Sequence, residues 1–302
     1  MLERSALPTD PAQIEGLVQS IRGTANLGAN DIYHWYLASH DVGSPSLKLN
    51  LIYPCGPGHV AKYSAQRLHN VVETAAIYAR HVEPWIARQL DAGRLNWVYN
   101  ILDGRTEQED VIFRTPPPAA SGGDEPDNEG FLLLPDLNWD RKTLTSLHVL
   151  ALVFRRDLRS LRDLTVAHIP FLRRLRARVV RATAATYGLD GDQLKLYLHY
   201  QPTYYHFHVH VVHVAFDGNG GTQSVGKAWG LEAVVGWLES MRRGRQQGSG
   251  GGGGEEWEEE EEEPGMRDVE LVYTLGERSE LWGQVFSKLS SEDQSPSPPL
   301  AS

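Results

Sequence analysis

Cysteine is nearly missing from this chain: Cys55 is the single one among 302 residues. No disulfide can form within the molecule, which fits a reducing compartment and leaves stability to an apolar core. Long apolar runs are missing too. Nowhere do about 18 apolar residues follow one another, and the opening MLERSALPTDPAQ has no apolar stretch of signal-peptide length. Neither membrane spanning nor secretion is expected. The third absence is an excess of positive charge. Lys and Arg total 29 against 39 Asp and Glu, and eight of the acids sit in the run 255–263. The remaining 29 basic and 31 acidic residues nearly cancel, so there is no wide basic stripe to hold a long duplex, and DNA is not an expected partner.

What is present is ordinary for a globular protein: 41% apolar and 23% charged residues, enough for one large core or two smaller ones. Two stretches stand apart. Residues 116–129 (PPPAASGGDEPDNE) read as a loop between the apolar runs DVIF and FLLLPDL. Residues 244–265 (GRQQGSGGGGGEEWEEEEEEPG) are low-complexity, with glycines that cannot pack and glutamates that repel one another, and are read as a disordered insertion. A tolerated surface loop is favoured there over an acidic interaction segment. The tail from Ser290 is read as unstructured.

The remaining periodicities place strands at Ser46–Tyr53, Leu95–Leu102, Asp110–Phe113, Phe131–Leu134, Leu194–His199, Tyr204–Phe216 and Val269–Thr274. They place helices at His59 to about Arg80, Glu83–Leu90, Leu144–Phe154, Val166–Tyr187, Gly230–Arg242 and Leu281–Leu289. Strands and helices in runs argue for an α+β fold.

Five of the 12 histidines lie between His199 and His213, within LHYQPTYYHFHVHVVHVAF. On a strand, alternate side chains share a face, so His206, His208 and His210 project on one side while Phe207, Val209 and Val211 enter the core. His213 has the opposite parity and reads as a hydrogen-bonded core or strand-end histidine. His199, on the preceding strand, comes close to the three across a short connection. Such a face can ligate a metal, or surround a phosphate with one ring as nucleophile and the others as donors. Several polar rings buried side by side without chemistry would each need a partner, which disfavours a purely structural cluster. No HExxH, HxHxDH or CxxC accompanies the strand, so the phosphate reading gains.

The stretch 206–212 (HFHVHVV) matches the histidine triad signature, in which three histidines alternate with apolar residues, at every position. With NDIYHWY (30–36), WVYNILD (97–103), FLLLPDLNW (131–139), LRSLRDLT (158–165) and LHYQPTYYHFHVH (198–210), the sequence resembles the scavenger mRNA decapping enzymes over about residues 25–290, apart from the two insertions. The resemblance implies a small amino-terminal dimerisation domain (1–58) of swapped-dimer type, shorter than usual in the family. Hinge helices (59–94) would follow, then a histidine triad α+β domain with an antiparallel sheet (95–290) and a tail (291–302). It implies metal-independent hydrolysis, without a cofactor, of the triphosphate bridge of 7-methylguanosine-capped dinucleotides and short capped RNA, releasing 7-methyl-GMP. By motif position, His208 would be the nucleophile that forms a covalent nucleotidyl-histidine, with His206, His210 and His199 around the phosphate. Trp97 and Leu137 would wall the methylated base, with Glu107, Pro135 and Asp136 completing the cap site, and Thr203, Tyr204 and Lys227 near the phosphates. Asn138 stands where the family usually carries lysine, and Lys227 where many members carry arginine, changes that weaken phosphate charge or its bidentate geometry. A homodimer in cytoplasm and nucleus is implied as well. Beside this reading stand a broader dinucleoside polyphosphate hydrolase of the same class and a cap-binding scaffold with weak catalysis.

Overall fold

The computed structural model describes residues 10–30, 33–40, 47–115, 129–137, 139–217, 221–248 and 263–289. The chain forms two compact units, Met1–Ala65 and Gln66–Ser302. The first unit holds helix α1 (Pro11–Ser20), then an antiparallel meander of β1 (Ile21–Asn30), β2 (Tyr33–His40) and β3 (Leu47–Ile52) in that spatial order, then a short helix α2 (Pro57–Tyr63).

The helix expected over residues 59–80 is not formed as such. It stops at Tyr63; Ser64 turns extended, and its hydroxyl donates to the Val60 carbonyl at 2.6 Å. Leu68–Glu73 is a strand, β4, paired antiparallel with β11 (Leu271–Gly276), Val72 opposite Val272. A three-to-four spacing of apolar residues does not separate a helix from a strand whose partner lies two hundred residues away. The expected hinge-helix segment is thus divided. Beyond β4, a helical turn Ala75–Ile77, a π-turn Tyr78–Val82 and helix Glu83–Asp91 follow within the second unit.

The second unit is built on a six-stranded, wholly antiparallel sheet in the order β10-β8-β9-β7-β6-β5. The strands are β5 (Phe113–Arg114), β6 (Phe131–Pro135), β7 (His148–Val153), β8 (Leu194–His199), β9 (His208–His213) and β10 (Ala228–Gly230). Here too the sequence reading needs correction. Leu144–Phe154, expected as a helix, is one 3-10 turn followed by β7, which lies between β6 and β9. Its run HVLALV is apolar on both faces because the strand is interior, and such a run has no period to read. Leu95–Leu102, expected as a strand, is instead a helix, Asn96–Leu102, entered at Leu95. Leu95, Val98, Ile101 and Leu102 are buried against Leu132, Leu134 and Leu152 of the sheet. Burying four such side chains, at about 1.5–3 kcal/mol each, outweighs a strand preference whose whole scale spans about 1 kcal/mol.

The other sheet face carries the main core. Val149, Ala151, Val153, Leu196, Leu198, Val209 and Val211 pack with Leu172, Leu175 and Val179 of the long helix Ile169–Tyr187 and with Leu231, Val234 and Leu238 of the helix Leu231–Gly248. That second helix runs through 244–248, and Gly265 bridges to Thr165, so both ends of the segment read as disordered are ordered. Residues 249–262 and the tail from Ser290 lie outside the described residues.

One buried polar cluster ties β4 and β11 to the β8–β9 connection. The fully buried Arg162 donates through Nε and Nη2 to Glu73 Oε1, at 2.8 and 2.6 Å, and through Nη1 to the carbonyls of Met266 and Val269. The Glu73 carboxylate also accepts from the Tyr200 and Tyr273 hydroxyls, each at 2.5 Å, and from the Gln201 amide at 3.2 Å. Burial first, and the Glu73 charge next, push both tyrosines up, so both stay protonated donors. Tyr205 completes the cluster by donating to Gln201 Oε1 at 2.7 Å. The connection that leads into the histidine strand is anchored from beneath.

Candidate active site

Across the sheet, His148, Leu150 and Leu152 of β7 lie opposite Val212, His210 and His208 of β9. His210 pairs with Tyr197 on the other side. The parity read from sequence holds: Phe207, Val209 and Val211 join the main core, and His208 and His210 take the opposite face. His206 precedes the strand but is equally buried. His199, at the end of β8, comes within 4.0 Å of His210 between ring centroids. His213 is a strand-end residue whose Nδ1 accepts from the Ala215 amide.

Backbone carbonyls set the tautomers of three of the rings. His206 Nε2–H donates to Val153 O at 2.8 Å, His199 Nε2–H to Thr222 O at 2.8 Å, and His208 Nδ1–H to His206 O at 2.7 Å. An imidazole that donates through Nδ1 carries its lone pair on Nε2. The middle ring is therefore presented with a nucleophilic Nε2. It stacks on Tyr204 at 4.3 Å, and Tyr204 meets the edge of Trp97 at 4.9 Å. Tyr204, expected beside a phosphate, is thus also the ring between Trp97 and the nucleophile position.

Burial holds all four rings neutral. It pushes His208 down to about 4, the neighbouring His199 adding to the shift, and His199 down to about 4 with the Lys227 charge adding. His206 is lowered, and His210 well below the usual range, both chiefly by burial. The sign of the linkage follows. In the folded state these groups titrate below their unfolded value of 6.5, so between about 4 and 6.5 the unfolded chain binds more protons. Their contribution to stability is complete above pH 6.5 and is lost as pH falls toward 4. Chemical denaturation should show the unfolding free energy falling from pH 6.5 to 4.5, by up to about 1.4 kcal/mol per pH unit per ring, and more gently in His199→Asn. A flat profile would contradict neutral, buried rings.

The remaining expected site residues are distributed as follows. Trp97, on the helix Asn96–Leu102 and not on a strand, is 42% exposed, as is Leu137. Pro135 ends β6 opposite Val149, and the Asp136 amide donates to His148 O at 2.9 Å. Glu107 sits at φ 54°, a left-handed conformation uncommon outside glycine. Arg114 pins that loop by donating to the Leu102 and Ile101 carbonyls and to Gln108 Oε1. Burial first, then the charges of Asp136 and Glu107, push the Tyr204 hydroxyl up, so both carboxylates act on the same ring. Lys227 donates to the Gln201 carbonyl at 2.6 Å. It follows Gly226, whose φ of 76° favours glycine and whose Cα packs tightly against the Tyr273 backbone. Thr203 is exposed in the β8–β9 connection, and Asn138 lies outside the described residues.

One site residue was missed. His148, 1% exposed, places Nε2 2.9 Å from His210 Nδ1 and Nδ1 3.5 Å from Asp136 Oδ1. Its signal was hidden by reading HVLALV as helical; as an interior strand next to the histidine strand, the same run brings His148 diagonally beside His210. Asp136, His148 and His210 each offer one ligand atom within 4.8 Å of the others, the one such group among the described residues.

Alternating imidazoles on an interior strand of an antiparallel sheet, the middle one with an open Nε2, define a histidine triad domain of α+β class. Residues 96–226 match the family model for the scavenger mRNA decapping enzyme C-terminal binding region, and residues 1–66 that for the scavenger mRNA decapping enzyme (DcpS) N-terminal region. The chain belongs to the scavenger mRNA decapping enzyme family. It is 35% identical over 243 residues to the m7GpppX diphosphatase of Schizosaccharomyces pombe, covering 80% of this chain and 76% of that protein. To the Homo sapiens m7GpppX diphosphatase it is 35% identical over 244 residues, 80% and 68% of the two chains. To that of Ascaris suum it is 38% identical over 210 residues, 70% and 65%.

Proposed function

We propose that this protein, a hydrolase of scavenger mRNA decapping, cleaves the capped triphosphate bridge through a covalent intermediate on His208. The observation that carries the proposal is the 2.7 Å bond from His208 Nδ1–H to the His206 carbonyl. It leaves Nε2 as the attacking atom on a face where His199, His206 and His210 gather. Nε2 bonds to the phosphorus next to 7-methylguanosine, the bridging P–O bond breaks, and a nucleoside diphosphate leaves. Water then forms a new P–O bond as the His208 N–P bond breaks, releasing 7-methyl-GMP. Splitting one displacement into two lowers each barrier, and the Lys227 ammonium meets negative charge as it develops.

Cap selectivity is assigned to Trp97 and Leu137 as the walls, with Glu107, the Pro135 carbonyl and Asp136 at the polar edges. Methylation at N7 makes guanine cationic, and a cation held against an indole gains about 0.5–2 kcal/mol beyond ordinary stacking. The deciding experiment compares methylated capped dinucleotide, unmethylated GpppG and a diadenosine polyphosphate, each with and without EDTA. Preference for the methylated cap, unaffected by EDTA, is expected. Comparable turnover of the diadenosine compound would favour a broader polyphosphate hydrolase, and loss of activity in EDTA would favour a metal at Asp136, His148 and His210. Trp97→Ala should weaken binding of the methylated cap by about 2- to 30-fold more than binding of GpppG; equal weakening rejects the stacking role. From the family resemblance we also propose a homodimer, testable by light scattering, and residence in cytoplasm and nucleus, testable by imaging a tagged chain.

A further inference from the structure

The four rings of the site are not held alike. Carbonyls of the main chain fix His199, His206 and His208, whereas His210 is fixed by a side chain. Its Nδ1 lies 2.9 Å from Nε2 of His148, and behind His148 stands the Asp136 carboxylate, 3.5 Å from Nδ1. Only one proton fits between the two facing nitrogens, so one ring donates and the other accepts. A carboxylate only accepts, and it favours the His148 tautomer that carries its proton on Nδ1. His148 Nε2 is then a lone pair, and His210 must donate to it through Nδ1–H. The second nitrogen of His210, Nε2, is left as a lone pair, buried and without a hydrogen-bond partner among the described residues. Tyr197, stacked on His210 at 4.9 Å and 1°, and His199 at 4.0 Å keep the ring from turning.

We propose that His148, backed by Asp136, is a positioning residue that locks His210 as the Nδ1–H tautomer, so that His210 Nε2 accepts the proton of the water that hydrolyses the nucleotidyl-histidine. The inference rests on the covalent reading given above and deepens it. In the step concerned, the water oxygen bonds to phosphorus, the His208 Nε2–P bond breaks with its electron pair returning to Nε2, and the water proton moves to His210 Nε2. The imidazolium so formed keeps its Nδ1–H bond to His148, whose own Nδ1–H faces Asp136. The positive charge is thereby held by a line of oriented dipoles ending in a carboxylate. The attack step needs no such acceptor, so the line acts on the second half of the reaction.

The test uses the full chain with methylated capped dinucleotide. In long-range 1H–15N spectra of wild type, His210 should carry its proton on Nδ1; a proton on Nε2 overturns the proposal with no variant needed. His148→Leu should lose that tautomer preference and lower kcat by about 10- to 100-fold with KM changed less than about threefold. His148→Gln, whose amide oxygen can still accept from His210 Nδ1–H, should recover part of the loss. Rapid-quench intact-mass spectra should show more nucleotidyl-enzyme at steady state in His148→Leu than in wild type, because hydrolysis is the step that slows. Equal adduct levels with unchanged kcat overturn the role of His148 while leaving the covalent reading intact. Absence of any adduct, together with turnover by His208→Ala, removes the covalent reading itself.

Discussion

His208→Ala is expected to abolish decapping while leaving the capped dinucleotide bound. Loss of an activated nucleophile costs on the order of 10^4-fold or more in kcat, because neither His206 nor His210 can replace it. His206 is tied through Nε2–H to Val153 O and His210 through Nδ1 to His148, so neither ring can turn to present a nitrogen where His208 Nε2 stands. Binding should survive, since the groups assigned to the cap lie on other elements: Trp97 on its helix, Glu107 in the loop pinned by Arg114, and Leu137 after β6. The measurements are single-turnover cleavage of methylated capped dinucleotide and a binding titration followed by intrinsic tryptophan fluorescence. Intact-mass spectrometry after brief exposure should find a nucleotidyl adduct on wild type and none on the variant. Residual turnover within about a hundredfold of wild type would place the nucleophile elsewhere. The change is local, because the ring it removes is held by one carbonyl and stacked on one tyrosine.

The second large effect is expected far from the chemistry. Glu73→Ala leaves the Arg162 guanidinium buried with only neutral partners, backbone carbonyls and the Tyr200 hydroxyl, and deprives Tyr200, Tyr273 and Gln201 of their shared acceptor. Breaking one side of a buried pair costs about 3–5 kcal/mol, which for a unit of this size lowers Tm by on the order of 10 °C. Activity should fall as well, since Gln201, whose carbonyl takes Lys227, hangs from the same carboxylate. The double variant Glu73→Leu with Arg162→Leu should be less damaged than Glu73→Ala, because no unpaired charge remains buried. Thermal unfolding checks both statements, and a loss under about 1 kcal/mol in Glu73→Ala would mean that water or another group replaces the carboxylate.

How much of this was legible before any fold was known differs from residue to residue. Alternation along HFHVHVV states which side chains share a face, whatever the neighbours are, because a strand repeats every two residues. The same holds for the stripe Leu172, Leu175, Val179 and Thr183 on the long helix, all buried as spaced. Residues 95–102 and 144–154 were misread for opposite reasons. The first is rich in strand formers yet is helical because one of its faces meets Leu132, Leu134 and Leu152. The second ends in an unbroken apolar run, 149–154, that carries no period, and it becomes a strand only because β6 and β9 lie on either side.

Local order thus settled the histidine motif, its polarity and the absence of disulfides. Those features depend on the spacing of neighbours along the chain and on residue chemistry alone. Tertiary structure decided what surrounds the motif: that Glu73 reaches Arg162, that Trp97 rides a helix beside Tyr204, and that His148 stands between Asp136 and His210. Each of these depends on which distant segment is buried against which. That choice is made by the summed burial of many side chains and by the need to satisfy every polar group taken out of water, and no short window of sequence contains it.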